Sequence, residues 1–307
     1  MAKRIKDPGL GNTSSPYAKR MVNKDGSFNI QHLNKPTQIR EAYNYLVHVS
    51  WAKFFLFAFS AYIVLNTLFA FLYLLIGVEQ IADASGNVFK DFLNAFFFSC
   101  QTITALGYGA MAPKGIASGV LSSLEALIGL LMFSFITGLL YGRFSKPKAS
   151  LRFSKNIVFR DFNITQAIMF RLVNNRKSIM INPKASVTLT LSEKNNKGEY
   201  VNTFYKLKLE REQITYLPTT WTIVHEIDDE SPLRNFSKED IVKQNGEFLV
   251  MISYYDESFN QEVHQLYSYT LNEIKVDYKF KKAYYYNEEG KMILDYKLLD
   301  VVEPSKS

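Results

Sequence analysis

Phe96-Phe97-Phe98-Ser99-Cys100-Gln101-Thr102-Ile103-Thr104-Ala105-Leu106-Gly107-Tyr108-Gly109-Ala110-Met111-Ala112-Pro113 is the stretch on which the fold turns. An apolar, aromatic run leads into Gly107-Tyr108-Gly109, and long apolar segments lie on either side. A Gly-Tyr-Gly tripeptide alone is a weak signal, and its position is what makes it informative. Backbone that re-enters a bilayer is tolerated only where protein buries it or where it lines a watery path. Carbonyl oxygens along such a path can replace the hydration shell of a dehydrated cation. Aiming successive carbonyls at one axis requires dihedrals that alternate between ordinary and left-handed regions, and glycine enters the latter cheaply. Gly107 and Gly109 have that spacing. Residues 92–104 read as a short helix whose negative C-terminal end points toward the cation. The competing reading is a buried turn between two membrane helices.

Upstream, residues 54–78 carry no formal charge and are long enough to cross a bilayer with some tilt. Downstream, residues 115–142 form a second span-length apolar stretch whose one charge is Glu125. A lone intramembrane charge calls for a partner or a cavity. Before the first span, Ala42, Tyr45, Leu46 and Val49 recur at helical spacing between polar residues, as in a helix lying in the membrane interface. Trp51 and Lys53 follow at headgroup level. Lys19, Arg20, Lys24, Lys35, Arg40 and Lys53 precede the first span, and Arg143, Lys146, Lys148, Arg152 and Lys155 follow the second. The segment between holds only Lys90 and Lys114. That asymmetry places both termini in the cytoplasm.

From Ser150 onward the period changes to two. Ala185, Val187, Leu189 and Leu191 alternate with polar neighbours up to a turn at Asn195-Asn196-Lys197-Gly198, and residues 248–255, 265–271 and the hairpin around 287–290 continue the pattern. Short strands with turn signals indicate an all-β, immunoglobulin-like antiparallel sandwich. The expected organisation is a flexible N-terminus (1–37), an interfacial helix (38–49), a membrane domain (50–145) and a sandwich (146–307). Within the membrane domain fall an outer helix (52–78), a re-entrant helix (92–104), a loop (105–109) and an inner helix (115–144). The fold class is therefore membrane α-helical, two transmembrane helices plus a re-entrant pore loop, with an all-β sandwich on the cytoplasmic side. The 307 residues are 47% hydrophobic with a net charge of +7, and the cations flank the apolar helices, which favours a membrane surface over nucleic acid. Cys100 is the single cysteine, so no intrachain disulfide forms. No signal peptide is expected, because residues 1–45 lack an early apolar core.

The order of interfacial helix, outer helix, pore loop, inner helix and strand-rich domain resembles the inward-rectifier potassium channels, above all their prokaryotic, KirBac-like branch. Four separated stretches carry the resemblance: Gly107-Tyr108-Gly109; Gly142-Arg143-Phe144-Ser145-Lys146-Pro147-Lys148; Leu151-Arg152-Phe153-Ser154-Lys155-Asn156; and Thr222-Ile223-Val224-His225-Glu226-Ile227-Asp228-Asp229-Glu230-Ser231-Pro232-Leu233. The resemblance implies a homotetramer in a cell membrane, plasma or bacterial inner, with potassium as permeant ion and no cofactor. A single filter loop per chain agrees, since copies around an axis are needed to ring an ion.

By position, Ala105, Leu106, Gly107, Tyr108 and Gly109 form the filter. Ala105 and Leu106 depart from the family's usual threonine and its valine or isoleucine. Ala105 removes a hydroxyl from the innermost ion site, so weaker binding and relaxed selectivity are expected there. Gln101 and Met111 stand where animal members carry a glutamate–arginine pair, and both charges are missing together. Phe133 occupies the site whose acidic residue attracts polyamines in strong rectifiers, so weak rectification is expected. Phe133 and Tyr141 look like two narrowings that gate by dewetting, unless both simply pack between helices. Gly129 and Gly138 are hinge candidates. Lys53, Arg143, Lys146 and Lys148 match positions that meet anionic phospholipids or phosphoinositide, although topology-setting charge alone would also explain them. Glu257, Phe259 and Asn260 fall in the cytoplasmic-pore loop, which lacks the family's glycine.

The histidines His32, His48, His225 and His264 show no metal-ligand spacing, and no nucleophile elbow, Walker loop or dinucleotide fingerprint is present. No enzyme is expected. The alternatives to a selective potassium channel are a weakly selective cation pore and a non-conducting membrane-anchored sensor.

Overall fold

The computed structural model describes residues 4–15, 17, 20–34, 39–146, 149–176 and 179–305. Two units divide the chain, Asn34–Lys146 on one hand and Met1–Leu33 with Pro147–Ser307 on the other.

The first unit is helical. α1 spans Ile39–His48, α2 Trp51–Ile76, α3 Val88–Ile103 and α4 Ile116–Phe144. α2 and α4 are each long and apolar enough to cross a membrane. The helix ends follow from local chemistry. Ser50 accepts from the Lys53 amide at the start of α2, and Gly77, at φ 106°, closes it with its N–H on the Tyr73 carbonyl. α3 begins at Val88, four residues before the expected start, because Asn87 Oδ1 accepts from the amides of Phe89 (3.0 Å) and Lys90 (3.3 Å). Phe69, Ala70, Tyr73, Ala95, Phe98 and Ile103 form the buried seam of α2 with α3.

The second unit is a β sandwich. β1 (Arg4–Ile5), β2 (Leu151–Phe153), β3 (Ile157–Phe162), β4 (Thr165–Asn174), β5 (Met180–Lys194), β6 (Tyr200–Leu207), β7 (Thr220–Glu226), β8 (Gly246–Asp256), β9 (Gln261–Thr270) and β10 (Ile274–Val276) make two sheets. One runs β1-β6-β5-β8-β9. In the other, β4 pairs with β7 on one side and with β2 and β3 on the other, and β10 closes the edge beside β3. Every pairing is antiparallel except β10 on β3. Alternate residues of β5 and β8 face inward, so Val187, Leu189, Phe248, Val250 and Ile252 meet Phe159, Phe170, Leu172 and Ile223 of the other sheet in one core. Each such side chain contributes roughly 1.5–3 kcal/mol on leaving water.

A short helix α5 (Lys238–Lys243) and the small pairs β11 (Tyr278–Phe280) with β14 (Val302–Pro304) and β12 (Tyr284–Tyr286) with β13 (Met292–Leu294) complete the unit. Phe280 and Val302 cover a second apolar patch at Val158, Ala167, Met169 and Val224. Arg171 pins this C-terminal segment, giving hydrogen bonds to the carbonyls of Leu299 (2.7 Å), Lys281 (2.7 Å) and Leu298.

The N-terminal segment, expected to be flexible over 1–37, is held to the sandwich at several points among the described residues. β1 adds to the edge of β6, with Arg4 opposite Tyr205 and Ile5 opposite Phe204. Further on, the amides of Met21 (2.6 Å) and Val22 (3.2 Å) donate to the buried carboxylate of Glu247, and Val22 is 2% exposed. An open strand edge and a buried acceptor order a segment whose own composition favours no structure.

Candidate functional site: the re-entrant loop and its supports

α3 ends in a motif that sets up the loop. The Leu106 amide donates to the Gln101 carbonyl (2.9 Å) and the Ala105 amide to the Thr102 carbonyl (3.1 Å), the paired bonds of a Schellman cap. Ala105 is the left-handed residue of that cap, at φ 54°, where glycine is usual and an L-residue costs roughly 1–2 kcal/mol. Beyond it, Gly107 (φ 55°) and Gly109 (φ 84°) are also left-handed, while Leu106 and Tyr108 are not. Left-handed residues alternating with ordinary ones are the backbone pattern that lets successive carbonyls face one axis. Thr104 does not replace the hydroxyl that Ala105 lacks, since its Oγ1 donates back to the Cys100 carbonyl at 2.6 Å.

The returning strand is tied down as well. The Ala112 and Lys114 amides donate to the carbonyls of Ile81 (3.2 Å) and Gln80 (2.7 Å) in the turn after α2, and Lys114 pairs with Asp83 at 3.3 Å. Met111 packs against the apolar seam of α2 and α3.

α4 presents two faces. Glu125, Gly129 and Leu139 are buried, whereas Phe133, Thr137, Gly138 and Tyr141 are exposed along another face. The two glycines differ. A Cβ on Gly129 would lie 2.3 Å from the Ile103 carbonyl oxygen, so this glycine permits close approach of α4 to the end of α3. Gly138 has open space around it.

At the end of α4, Arg143 turns back to α1. Its guanidinium donates to the carbonyls of Leu46 and, at 2.6 Å, Val49, and lies 4.4 Å from the Trp51 ring centroid and 4.7 Å from that of Phe54. The C-terminal carbonyls of α1 thus receive a cation, as the helix dipole favours. Lys53 and Lys146 are exposed. Lys148 lies outside the described residues.

In the β unit, residues 257–260 link β8 to β9. Asn260 takes the left-handed position (φ 52°) that a glycine would fill. Its Oδ1 accepts from the Tyr255 hydroxyl, and Phe259 sits under the Arg176 guanidinium at 5.0 Å. Glu257 is exposed. His225 is structural: its ring nitrogens meet the Lys208 carbonyl (2.8 Å) and the Ser231 hydroxyl (2.9 Å). Burial pushes the imidazole below its ordinary value, against the opposing pull of the Lys208 carbonyl and the Asp228 charge.

Two membrane-length helices, a re-entrant loop with alternating left-handed residues and an appended β sandwich define a two-span channel subunit. Residues 54–146 match the family model described as ion channel, and residues 151–306 match that of the inward rectifier potassium channel C-terminal domain. The inward rectifier potassium channel Kirbac3.1 of Paramagnetospirillum magnetotacticum is 34% identical over 288 residues, 93% of this chain and 96% of that protein. G protein-activated inward rectifier potassium channel 2 of Rattus norvegicus is 27% identical over 85% of this chain and 67% of its own length, as is its Homo sapiens counterpart. The chain belongs to the inward rectifier potassium channel family, a family of membrane ion channels and not of enzymes.

Proposed function

We propose that four copies of this chain surround one axis and conduct potassium passively through the main-chain oxygens of Ala105, Leu106, Gly107 and Tyr108, with Gly109 completing the loop. The observation that carries this reading is the left-handed backbone at positions 105, 107 and 109. A dehydrated cation needs oxygens from several sides, and one loop supplies only one side. Both termini face the cytoplasm, in line with the basic residues flanking the spans.

Conduction is gated along α4. Phe133 and Tyr141, on the exposed face of that helix, narrow the path, and Gly138, free of close neighbours, is the place where α4 bends. Arg143 links the end of α4 to α1, so a shift of the interfacial helix reaches the gate. Exposed Lys53 and Lys146, with Lys148, attract anionic phospholipid or phosphoinositide at about 1 kcal/mol each. With its guanidinium shared between two carbonyls and two rings, Arg143 acts more on α1 than on a headgroup. The residues of the β8–β9 link, Glu257, Phe259 and Asn260, line the cytoplasmic continuation of the path.

The missing hydroxyl at Ala105 favours a modest selectivity at the innermost site. Purified protein in liposomes tests the reading through rubidium, potassium and sodium flux. Potassium and rubidium uptake well above sodium supports a selective pore, and equal uptake of all three supports the weakly selective one. Absence of flux, or a particle without fourfold symmetry, overturns both.

A further inference from the structure

Four polar side chains are sealed inside the helical unit. Asn66 and Tyr73 of α2, Ser99 of α3 and Glu125 of α4 are each at most 1% exposed. They form one chain of hydrogen bonds. Asn66 Nδ2 donates to the Tyr62 carbonyl at 2.7 Å, Asn66 Oδ1 lies 2.9 Å from Ser99 Oγ, Ser99 Oγ meets Glu125 Oε1, and the Tyr73 hydroxyl donates to Glu125 Oε2 at 2.6 Å.

Counting protons along this chain leaves one arrangement in which every contact is favourable. Ser99 has a single hydroxyl proton but faces two oxygens. If Glu125 were an ionised carboxylate taking that proton, Ser99 Oγ and Asn66 Oδ1 would face each other as bare acceptors. Turning the Asn66 amide would mend that contact, but would set its oxygen against the Tyr62 carbonyl at 2.7 Å. With the amide as it stands, Ser99 donates to Asn66, and the proton on the Glu125–Ser99 contact comes from the carboxyl group. The other carboxyl oxygen is then free to accept from Tyr73. An uncharged acid also avoids the cost of an ion in a dry interior with no cation beside it among the described residues.

We propose that Glu125 is held as a neutral carboxylic acid and that, as the donor to Ser99, it is the positioning residue for the pore helix. The spacing supports this role. Glu125 meets Ser99, and one turn later Gly129 meets the carbonyl of Ile103, itself one turn after Ser99. Two points on α4 thereby clamp two points on α3, the second at the helix's last residue, just before the Thr104–Ala105 cap. The clamp's effect on ion selection rests on residues 105–109 being the filter, whereas its protonation does not.

The experiment uses the full-length channel in lipid bilayers near neutral pH. Infrared difference spectra between wild type and Glu125→Gln should show the carbonyl stretch of a protonated carboxyl, shifted in heavy water, that the variant lacks. Carboxylate bands in its place would overturn the proposal. In flux assays Glu125→Gln, whose amide can donate to Ser99 and accept from Tyr73, should keep the wild-type potassium-to-sodium ratio. Glu125→Leu should lower that ratio about fivefold, the factor one ordinary hydrogen bond carries. Loss of selectivity in Glu125→Gln equal to that in Glu125→Leu would also overturn it. Should Glu125→Leu fail to assemble, the glutamine variant and the infrared band still decide. A channel showing the protonated band but conducting no potassium in any form would sink the filter reading alone.

Discussion

The two units of this chain are stabilised by opposite means. The β sandwich carries a continuous apolar core, with Leu189, Val250, Ile252 and Tyr269 wholly shielded by residues of the same chain. The helical unit keeps large apolar side chains such as Phe57, Phe59, Leu75, Leu130 and Phe133 exposed, and what it buries deepest includes Asn66, Ser99 and Glu125. Apolar surface drives folding only where water is the alternative, and inside a bilayer lipid is as apolar as leucine. Specific polar bonds and close backbone packing must therefore hold the helices, whereas burial suffices for the sandwich. That contrast makes truncation costly in one unit and enlargement costly in the other.

The largest effect is expected from Phe248→Ala, which empties space in the sheet-to-sheet core and should cost about 3–5 kcal/mol. Phe59→Ala, on an exposed face of α2, should stay within about 0.5 kcal/mol. Thermal unfolding of the two purified variants tests the pair, and similar losses would erase the contrast between the units.

Enlargement reverses the ranking. Gly129→Ala drives a methyl group into the Ile103 carbonyl and should cost about 1–3 kcal/mol, read as loss of assembled channel in gel filtration. Gly138→Ala, with nothing near it, should assemble normally and alter open probability alone. If Gly129→Ala assembled as well as Gly138→Ala, the clamp between α3 and α4 would not be what holds the helices.

How far these features could be read from the residues differs by unit for the same physical reason. Membrane spans announce themselves through uncharged length, and strands through alternation at residues such as Val187, Leu189 and Leu191, because both signals are local. Gly107 and Gly109 were legible because glycine marks left-handed backbone. Ala105 was not, since an alanine in that conformation leaves no trace in composition, and its cap depends on bonds to Gln101 and Thr102. The cap that moves the start of α3 to Val88 was not read either, since an asparagine before an apolar run becomes a cap only through the bonds that Asn87 Oδ1 accepts from Phe89 and Lys90. The partners of Glu125 lie 26 and 52 residues away, and no local pattern reveals such a distance. Likewise the segment before Asn34 reads as loose because its anchors, the β6 edge and Glu247, belong to the far half of the chain.

Ala105 itself gives a smaller effect with two opposed parts. Ala105→Gly relieves left-handed strain of roughly 1–2 kcal/mol, offset by the roughly 0.4–1 kcal/mol by which glycine loosens the unfolded chain, and should stabilise slightly. Ala105→Thr adds β-branching at positive φ, which works against the backbone, while placing a hydroxyl at the proposed innermost ion site. Barium block separates the two: tighter block in Ala105→Thr, with block unchanged in Ala105→Gly, is the expected pair. Equal block in all three proteins would remove Ala105 from the ion path.

The smallest effect concerns His225, buried in the sandwich against Lys208, Asp228 and Ser231. Its pKa is depressed, chiefly by burial, so the unfolded chain, with an imidazole near the ordinary 6.5, binds a proton more readily than the folded one. Stability from this group is therefore complete above that value and drains away as the pH falls through it, at no more than about 1.4 kcal/mol per pH unit. Glu247, raised mainly by its own burial despite hydrogen bonds from Met21, Ser268 and Val22, contributes with the opposite sign, gaining stability on acidification. Comparing wild type with His225→Gln isolates the imidazole from that carboxyl. Between about pH 7.5 and about pH 5.5 the wild-type melting temperature should fall further than that of the variant. Parallel profiles would mean that the imidazole titrates alike in the folded and the unfolded chain, and a wild type that gained on the variant at low pH would mean that it is charged in the folded protein, with its Nε2 donating to Ser231 instead of accepting from it.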